Sequence, residues 1–331
     1  MPASFGTSAQ FSRELLDASL VQGMEIVQPS ISPLITTVSL GNNQGNFAKY
    51  VVYGNQTKPR ELFGKPIEGY DRIGSYAFSI RPVEYGGKVT MGDAEIADCT
   101  SPEWLEKSRQ MGALVPQWLE ERLCEDIVES ATAFDGFDGQ SLFSASHTWR
   151  TSDQTPGDPA PAGDTTPQSN LITAVSAGTD YTAASAVMDD FYDAVEKMNA
   201  FTDDKGNPFS TAGGKWFILY NNKKAALDRY LNAAFNPDSL PSDDSLRDGH
   251  RFQVTLIPTP FLASVASDSD FDWYLFRVVP GQKPSLVVQL RQGVESETWR
   301  DPATHLNHYQ YTCRYGFGWT NWWNAIKVNK S

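Results

Sequence analysis

The sequence predicts an α+β fold in which a β-hairpin and a long helix precede a mixed sheet with further helices. Residues 101–134 carry apolar side chains every three or four positions, as on one face of a helix. Before them, residues 47–53 and 76–83 are rich in aromatic and β-branched residues, which favour strands. After residue 213, short strand-like and helix-like segments follow one another irregularly. Because these elements do not alternate as βαβ units, the pattern indicates an α+β fold.

The segment 101–134 predicts one long helix that acts as a stiff spine. Ser101 is a suitable N-cap and Pro102 suits the first helical turn. Unbroken, the helix would span about 50 Å. Pro116 lacks a backbone donor and is expected to kink the helix. The apolar face continues in phase on both sides of the proline, so we expect one kinked helix rather than two.

Composition excludes several classes of protein. The chain has 331 residues, enough for one large or two ordinary domains, with 27 basic and 40 acidic residues and a net charge of −13. Such an excess of acid argues against a general nucleic-acid-binding surface. Cys99, Cys124 and Cys313 are far apart and odd in number, which predicts neither a metal site nor a disulfide framework. No segment resembles a signal peptide or a membrane span, so we expect a soluble protein of a reducing cytoplasm.

Residues 1–45 predict an N-terminal arm rather than a domain. A short amphipathic stretch is followed by a segment in which Pro29 and Pro33 prevent a helix. This arm has too little apolar content to fold alone. It must therefore pack on its own domain or on a neighbouring subunit, and the sequence leaves both alternatives open.

Residues 46–92 predict an extended β-hairpin. One strand covers residues 47–53, and residues 76–83 and 88–91 supply the return. The connecting residues 54–75 are polar, rich in turn formers and long enough to be either functional or disordered. The charged residues of this connection include more basic side chains than is usual in so acidic a chain. Among them are Lys58, Arg60, Glu61, Lys65 and Arg72. The alternatives are a solvated loop and an arm that contacts an acidic neighbouring subunit.

The second half of the chain predicts a surface excursion and then a mixed sheet. Residues 150–170 are dense in Pro, Gly, Ser, Thr and Asp and cannot bury a core. Periodicity predicts helices at residues 182–199 and 222–235, and the apolar residues 216–220 predict a buried strand. Further strands are expected around residues 252–256, 273–279, 286–290, 308–317 and 322–328.

The search for catalytic motifs is mostly negative. The sequence contains no GxGxxG, GxxxxGK[ST], GxSxG or HExxH pattern. Ser144 and Ser146 beside His147 allow a hydrolase as an alternative function. Near neighbours in sequence seldom form such a pair, and nothing singles out a carboxylate that would orient the histidine. We therefore expect His147 to be structural and to bond a backbone group.

Three groups of residues allow weak metal-site or acid–base interpretations. His305 and His308 have helical spacing, but Pro302 and the aromatic strand that follows indicate a loop. The Asp-rich run 268–272 lacks the glycine and distal glutamate of a calcium loop, so it is interpreted as a polar turn. Asp135 and Asp138 stand in Asp-Gly pairs that are first of all turn formers. We therefore predict no metal and no cofactor.

Four stretches of the chain, in order, carry motifs that are typical of one protein family. The first is DGQSLFSASH at 138–147, a turn followed by LF-x-x-x-H. The second, at residues 213–235, is a strand followed by a helix. The third is KPSLVVQLRQGVESETW at 283–299, a late strand that begins with KP and contains Q-x-R, and the fourth is the closing strand at 308–328, which is rich in Gly and Trp. In their joint order and spacing these stretches resemble tailed-bacteriophage major capsid proteins, and Mu-like major head subunits most of all.

The resemblance implies a division of the chain into the parts of a phage capsid subunit. These are an N-terminal arm (1–45), an extended loop (46–92), a peripheral domain (93–212) with the spine helix, an axial domain (213–300) and a C-terminal return to the peripheral domain (301–331). Trp319, Trp322 and Trp323 are too apolar to remain exposed together. We expect these structural tryptophans to pack near the long helix.

The resemblance also implies a function and partners. The chain is expected to be the major subunit of an icosahedral phage head, in hexamers and pentamers, assembled in the host bacterial cytoplasm and located in the virion. A portal, a separate scaffolding protein and, in some heads, a decoration protein are the implied partners, with only weak, non-specific DNA contact. The arm leaves no room for a built-in scaffold, so we expect an N-terminus that is not cleaved. The alternatives are the hydrolase and a tail or decoration protein outside the shell.

Overall fold

A computed structural model describes most of the chain and shows two mixed sheets, a hairpin and five helices. It describes residues 13–40, 48–53, 75–98, 103–129, 136–149, 166–174, 181, 183–204, 206–209, 214–235, 253–262 and 271–329. The helices are α1 (Arg13–Ile26), α2 (Asp93–Asp98), α3 (Glu103–Leu123), α4 (Ala184–Ala200) and α5 (Ala225–Phe235). The strands are β1 (Ile35–Ser39), β2 (Ala48–Tyr53), β3 (Ser75–Ile80), β4 (Val83–Gly92), β5 (Leu171–Thr173), β6 (Lys215–Asn221), β7 (Val254–Thr259), β8 (Trp273–Val278), β9 (Leu286–Asp301), β10 (Leu306–Trp319) and β11 (Ala325–Asn329).

The first sheet has the strand order β1-β9-β10-β4 and is built around two long antiparallel strands. β1 runs parallel to β9, and β4 pairs antiparallel with β10 over ten residues. The sequence predicted that residues 83 and 88–91 complete the hairpin, but the structure places them in this other sheet. The reason is that β4 finds its hydrogen-bonding partner in β10, far along the chain.

The second sheet has the strand order β5-β11-β8-β6-β7. Its central strands β6 and β8 are buried along most of their length, which explains their uniformly apolar sequences. The last strand, β11, lies between β5 and β8 in this sheet. The C-terminal segment predicted as one unit, 301–331, is therefore divided between the two sheets, with β10 in the first and β11 in the second.

The predicted hairpin exists as the two-stranded sheet β2-β3, in which Tyr50 lies opposite Phe78. Their rings stack with centroids 5.4 Å apart. The loop residues that were predicted to contact a neighbouring subunit lie outside the described residues. They are Lys58, Arg60, Glu61, Lys65 and Arg72. Their role stays a prediction.

The long helix α3 is continuous across Pro116, so the proline does not split it. The α-helix ends at Leu123, earlier than predicted, and one π-helical turn (Cys124–Val128) extends it. In α3 the buried carboxylate of Glu120 accepts hydrogen bonds from the backbone N–H and hydroxyl of Ser30 (2.8 and 2.5 Å) and from the hydroxyl of Thr259 (2.7 Å). This one side chain therefore joins the N-terminal arm, the long helix and the second sheet.

The arm helix α1 packs directly on α3 through small residues. Both helices carry the pattern S-x-x-x-G, at Ser19–Gly23 and at Ser108–Gly112. Hydrogen bonds run in both directions, because Ser108 donates to the carbonyl of Leu16 (2.9 Å) and Ser19 to the carbonyl of Leu105 (2.5 Å). A Cβ atom at Gly112 would overlap the backbone carbonyl of Leu20. The absence of side chains at the two glycines therefore allows the helix backbones to touch.

We expect Gly112→Ala to destabilise the subunit by about 1–3 kcal/mol, although alanine is the better helix former. The added methyl group must push α1 away from α3, because the atom that it meets belongs to the backbone of Leu20. Gly293→Ala is the matched control, since a Cβ atom there meets nothing within 4 Å. Denaturant unfolding of both variants measures the effect. Equal stability of the two variants would contradict the close contact of the helices.

Candidate functional site

The residues of the hydrolase alternative lie in an irregular segment, 136–149, which contacts Trp319 at the end of β10 and Tyr274 in β8. Asp138 sits in a turn that Gly139 makes possible with a φ of 70°. The Asp138 carboxylate accepts a hydrogen bond from the backbone N–H of Gln140 (3.2 Å), as in an Asx turn. This local turn fixes the carboxylate where His147 can reach it.

His147 is completely buried and both of its ring nitrogens are engaged. Nδ1 lies 2.6 Å from Oδ2 of Asp138, whose side chain is also fully buried. Nε2 lies 3.1 Å from the carbonyl oxygen of Leu142, to which it donates. Since a carbonyl cannot donate, Nε2 is the donor in this hydrogen bond, and the contact of Nδ1 with the Asp138 carboxylate is the second hydrogen bond of the ring. The ring also stacks on Trp322, with centroids 4.6 Å apart and planes at 2°.

The two serines are bonded to an amide rather than to the histidine. Ser144 donates its hydroxyl hydrogen to Oε1 of Gln140 (2.9 Å), and Ser146 lies 3.3 Å from the same oxygen. A glutamine amide cannot act as the base that a serine nucleophile requires. The nitrogen of His147 that would accept a serine proton is occupied by Leu142. The geometry therefore supports a structural role for His147, including the expected bond to a backbone group.

Asn170, which the sequence did not single out, holds this segment against the end of the chain. Its Nδ2 donates to the carbonyl of Leu142 (2.7 Å) and its Oδ1 accepts from the N–H of Ser144 (2.8 Å). Its carbonyl accepts from the N–H of Lys327 in β11 (3.0 Å). A buried asparagine that satisfies two backbone groups is recognisable only in the folded chain, because its partners are distant in sequence.

Trp319, Trp322 and Trp323 are all buried, but their ring contacts lie mainly with the 136–209 region. Trp322 packs edge-on against Phe201 with centroids 5.2 Å apart. Trp323 stacks on Phe209 with centroids 5.0 Å apart. The long helix uses Trp118 to contact different residues of the C-terminal segment, Tyr315 and Phe317. The contacts of the three C-terminal tryptophans lie within the unit predicted as peripheral (93–212), but in its segments after the long helix, because the chain leaves the first sheet after Trp319 and enters the second.

A buried cation in the second sheet was also missed by sequence reasoning. Arg277 on β8 is almost completely buried and donates to the amide oxygens of Asn324 (3.0 and 3.1 Å) and Asn199 (3.3 Å). Burial lowers the pKa of its guanidinium to about 10. The group therefore remains charged at neutral pH and ties α4, β8 and the segment before β11 together. Its only signal in the sequence is a lone arginine inside the apolar run WYLFRV.

The described residues show no constellation for a metal and no membrane span. No group of three or more His, Cys, Asp or Glu in this part of the chain could hold a metal ion. His308 lies in β10 with Nδ1 3.0 Å from the hydroxyl of Thr90. The carboxylate of Asp138 is in contact with Nδ1 of His147, and Asp135 lies outside the described residues. None of the helices in the described ranges is long and apolar enough to cross a membrane.

The sequence matches the family described as "Phage capsid protein" over residues 75–328, which is most of the chain. The chain belongs to the phage capsid protein family. This identification confirms the predicted major capsid family. It also confirms the predicted function, that of a structural subunit of the capsid, so the protein is a component of the virion. The match does not confirm the Mu-like subfamily, which stays a prediction. No curated protein matches the sequence.

Solved capsid structures share the fold of this phage capsid protein. The mature capsid of bacteriophage PhiM1 aligns with a TM-score of 0.55 at 13% identity, over 89% of this chain and 85% of that chain. The capsid of cyanophage P-SCSP1u aligns with a TM-score of 0.54 at 12% identity, over 89% and 85%. A virus-like particle from Pyrococcus furiosus aligns with a TM-score of 0.53 at 12% identity, over 96% and 98%. These likenesses confirm the predicted α+β capsid fold.

Proposed function

We propose that copies of this subunit assemble as hexamers and pentamers into a closed icosahedral shell around the phage genome. The observation that carries the proposal is the family match over residues 75–328, together with a fold shared along 89% of the chain with a mature phage capsid. Closed shells require many copies in symmetric and quasi-symmetric contacts. The net charge of −13 suits a container that holds DNA only weakly and non-specifically.

In this proposal the other partners act at particular stages. A separate scaffolding protein controls curvature, because the same contacts can otherwise close into tubes or shells of the wrong size. A portal occupies one vertex, and a decoration protein is compatible with the finished shell. Assembly takes place in the host bacterial cytoplasm, where the free cysteines Cys124 and Cys313 remain reduced. The arm (1–45), peripheral (93–212) and axial (213–300) units serve as the parts of the shell subunit.

The extended loop, residues 54–75, is proposed to pack on a neighbouring subunit. Its basic residues Lys58, Arg60, Lys65 and Arg72, with Glu61, supply the charged contacts. Deleting residues 54–75 is expected to leave a folded subunit with near-native circular dichroism but to abolish shells in electron microscopy. The reason is that the loop adds interface without contributing to the core, and many weak contacts hold a shell together.

The same experiment includes two controls. A variant with a Gly-Ser segment of equal length in place of residues 54–75 separates the loop's sequence from its length, and it too is expected to form no shells. Expression of the wild-type chain, alone and together with the neighbouring head genes, tests by electron microscopy whether the subunit forms shells and whether it needs other proteins to do so. Normal shells from the deletion would refute the loop assignment, and uniform shells from the single chain would refute the separate scaffold.

We also propose that the subunit has no hydrolytic activity. The support is the engagement of both nitrogens of His147 and the bonding of Ser144 and Ser146 to Gln140. Ser144→Ala and Ser146→Ala, singly and together, are expected to leave shell formation unchanged, because the lost hydrogen bonds are local ones to Gln140 and between the two serines, at partly exposed positions. Assembly yield and turnover of ester and peptide substrates are the measurements. A hydrolytic activity of the wild type that either variant loses would establish the enzyme alternative.

A further inference from the structure

Strand β4 forms one edge of the four-stranded sheet. It pairs with β10 along its whole length, from Val83 opposite Tyr315 to Gly92 opposite Leu306. In the described part of the chain no other strand lies on its outer side. An edge strand of ten residues presents a row of backbone donors and acceptors to another chain unless the protein covers or charges it.

The edge carries two opposite charges at a defined spacing. Glu84 and Lys88 both point away from the helix side of the sheet and are exposed. Four residues of strand separate them, about 13 Å, so they cannot form an ion pair with each other. Within the described ranges neither side chain has an ion-pair partner, and the Lys88 ammonium rests 5.1 Å from the ring centroid of Trp299. Both charges are therefore available to a partner.

Two glycines lie between these charges. A Cβ atom at Gly86 would come within 2.6 Å of the carbonyl oxygen of Tyr311, so packing inside the chain already requires that glycine. On the sheet face over these residues, an open groove of about 410 Å³ is lined by residues 84–88 of β4 and by Gln310 and Thr312 of β10. Because the two glycines carry no side chain, another backbone can approach the outer edge of β4 closely at this point.

We propose that β4 pairs antiparallel with β4 of a second copy, about a twofold axis at Gly86. In this register Gly86 faces Gly86 of the second copy, Glu84 faces Lys88, and Lys88 faces Glu84. One contact therefore forms two opposite-charge pairs, and the segment E-Y-G-G-K is complementary to itself. The proposal rests on the proposed shell function, because closed shells contain twofold contacts between identical surfaces.

Variants with one added cysteine test the register directly. In a Cys99→Ser background, subunits with Glu84→Cys and subunits with Lys88→Cys are mixed and treated with a mild oxidant. The native thiols of Cys124 and Cys313 are buried and leave the new cysteines as the reactive pair. A disulfide-linked dimer is expected in the mixture and not in either variant alone, because each new cysteine faces position 88 or 84 of the other copy. Equal crosslinking in the single variants, or none in the mixture, overturns the proposal.

Charge exchange provides the second measurement. Glu84→Lys and Lys88→Glu each place like charges opposite each other twice per contact, and each is expected to raise the concentration required for assembly about tenfold. The double variant Glu84→Lys/Lys88→Glu restores both pairs and is expected to assemble like the wild type. An effect inside one subunit would not be rescued in this way, since the two residues are too far apart to pair within one strand. Additive losses in the double variant would contradict the pairing.

The outcomes separate this proposal from the shell function. If the wild type forms shells but the mixed cysteines do not crosslink, the β4 contact is wrong and the shell function stands. If the mixed cysteines crosslink but the wild type forms no shells, even with the neighbouring head genes, the β4 contact stands and the shell function is wrong.

Discussion

Replacing Trp322 by alanine is expected to lower the free energy of unfolding by about 3–5 kcal/mol. Its side chain is completely buried, so the substitution leaves a large cavity. The indole ring stacks on His147 and contacts the ring of Phe201, whose centroid is 5.2 Å away. Removing it therefore disturbs both the segment 136–149 and the helix end that leads to Phe201.

Denaturant unfolding of the soluble subunit measures this loss, with two comparison variants. Trp322→Phe is expected to lower the free energy of unfolding by less than Trp322→Ala, because phenylalanine keeps most of the buried ring. The indole N–H has no hydrogen-bond acceptor among the described residues, so replacing it breaks no hydrogen bond there. Trp299→Ala is the matched surface control, since that ring is 37% exposed. A cost below about 1 kcal/mol for Trp322→Ala would contradict a fully buried ring.

Removing one partner of the buried Asp138–His147 pair is expected to have an effect of similar size. Asp138→Ala leaves the imidazole without the acceptor that lies 2.6 Å from Nδ1, and removing one partner of a buried acid–base pair costs about 3–5 kcal/mol. Asp189→Ala, on the exposed side of α4, is the control and is expected to change stability by less than about 0.5 kcal/mol. Thermal or denaturant unfolding is the measurement.

A double variant shows whether the pair itself causes the loss. Asp138→Ala/His147→Phe replaces both partners by apolar groups, and such replacement of a buried pair is often neutral or stabilising. The double variant is therefore expected to be more stable than Asp138→Ala alone. A double variant that is less stable than the single one would assign the loss to the turn at Asp138 rather than to its contact with His147.

The sequence by itself determined those features that depend on neighbours along the chain. The period of the apolar residues predicted α3, α4 and α5, since a helix repeats its face every 3.6 residues. The uniformly apolar run WFILY predicted the buried strand β6, because a strand covered on both faces needs no polar side. The expectation that Pro29 and Pro33 prevent a helix was wrong at Pro33, which lies in a short 3-10 helix (Ser32–Leu34), because the first turn of a helix tolerates proline. The α+β class follows from the order of these local elements.

Only the tertiary structure decided which strands pair and which polar groups meet. Thr90 and His308 are 218 residues apart in sequence, yet they lie in neighbouring strands, and no local pattern specifies that pairing. The same holds for the division of residues 301–331 between two sheets. Asp138 was predicted as a turn residue, and its side chain gained a second partner only when the fold enclosed His147. The period of a segment fixes its local shape and buried face, but its partner depends on the free energy of the whole packed core.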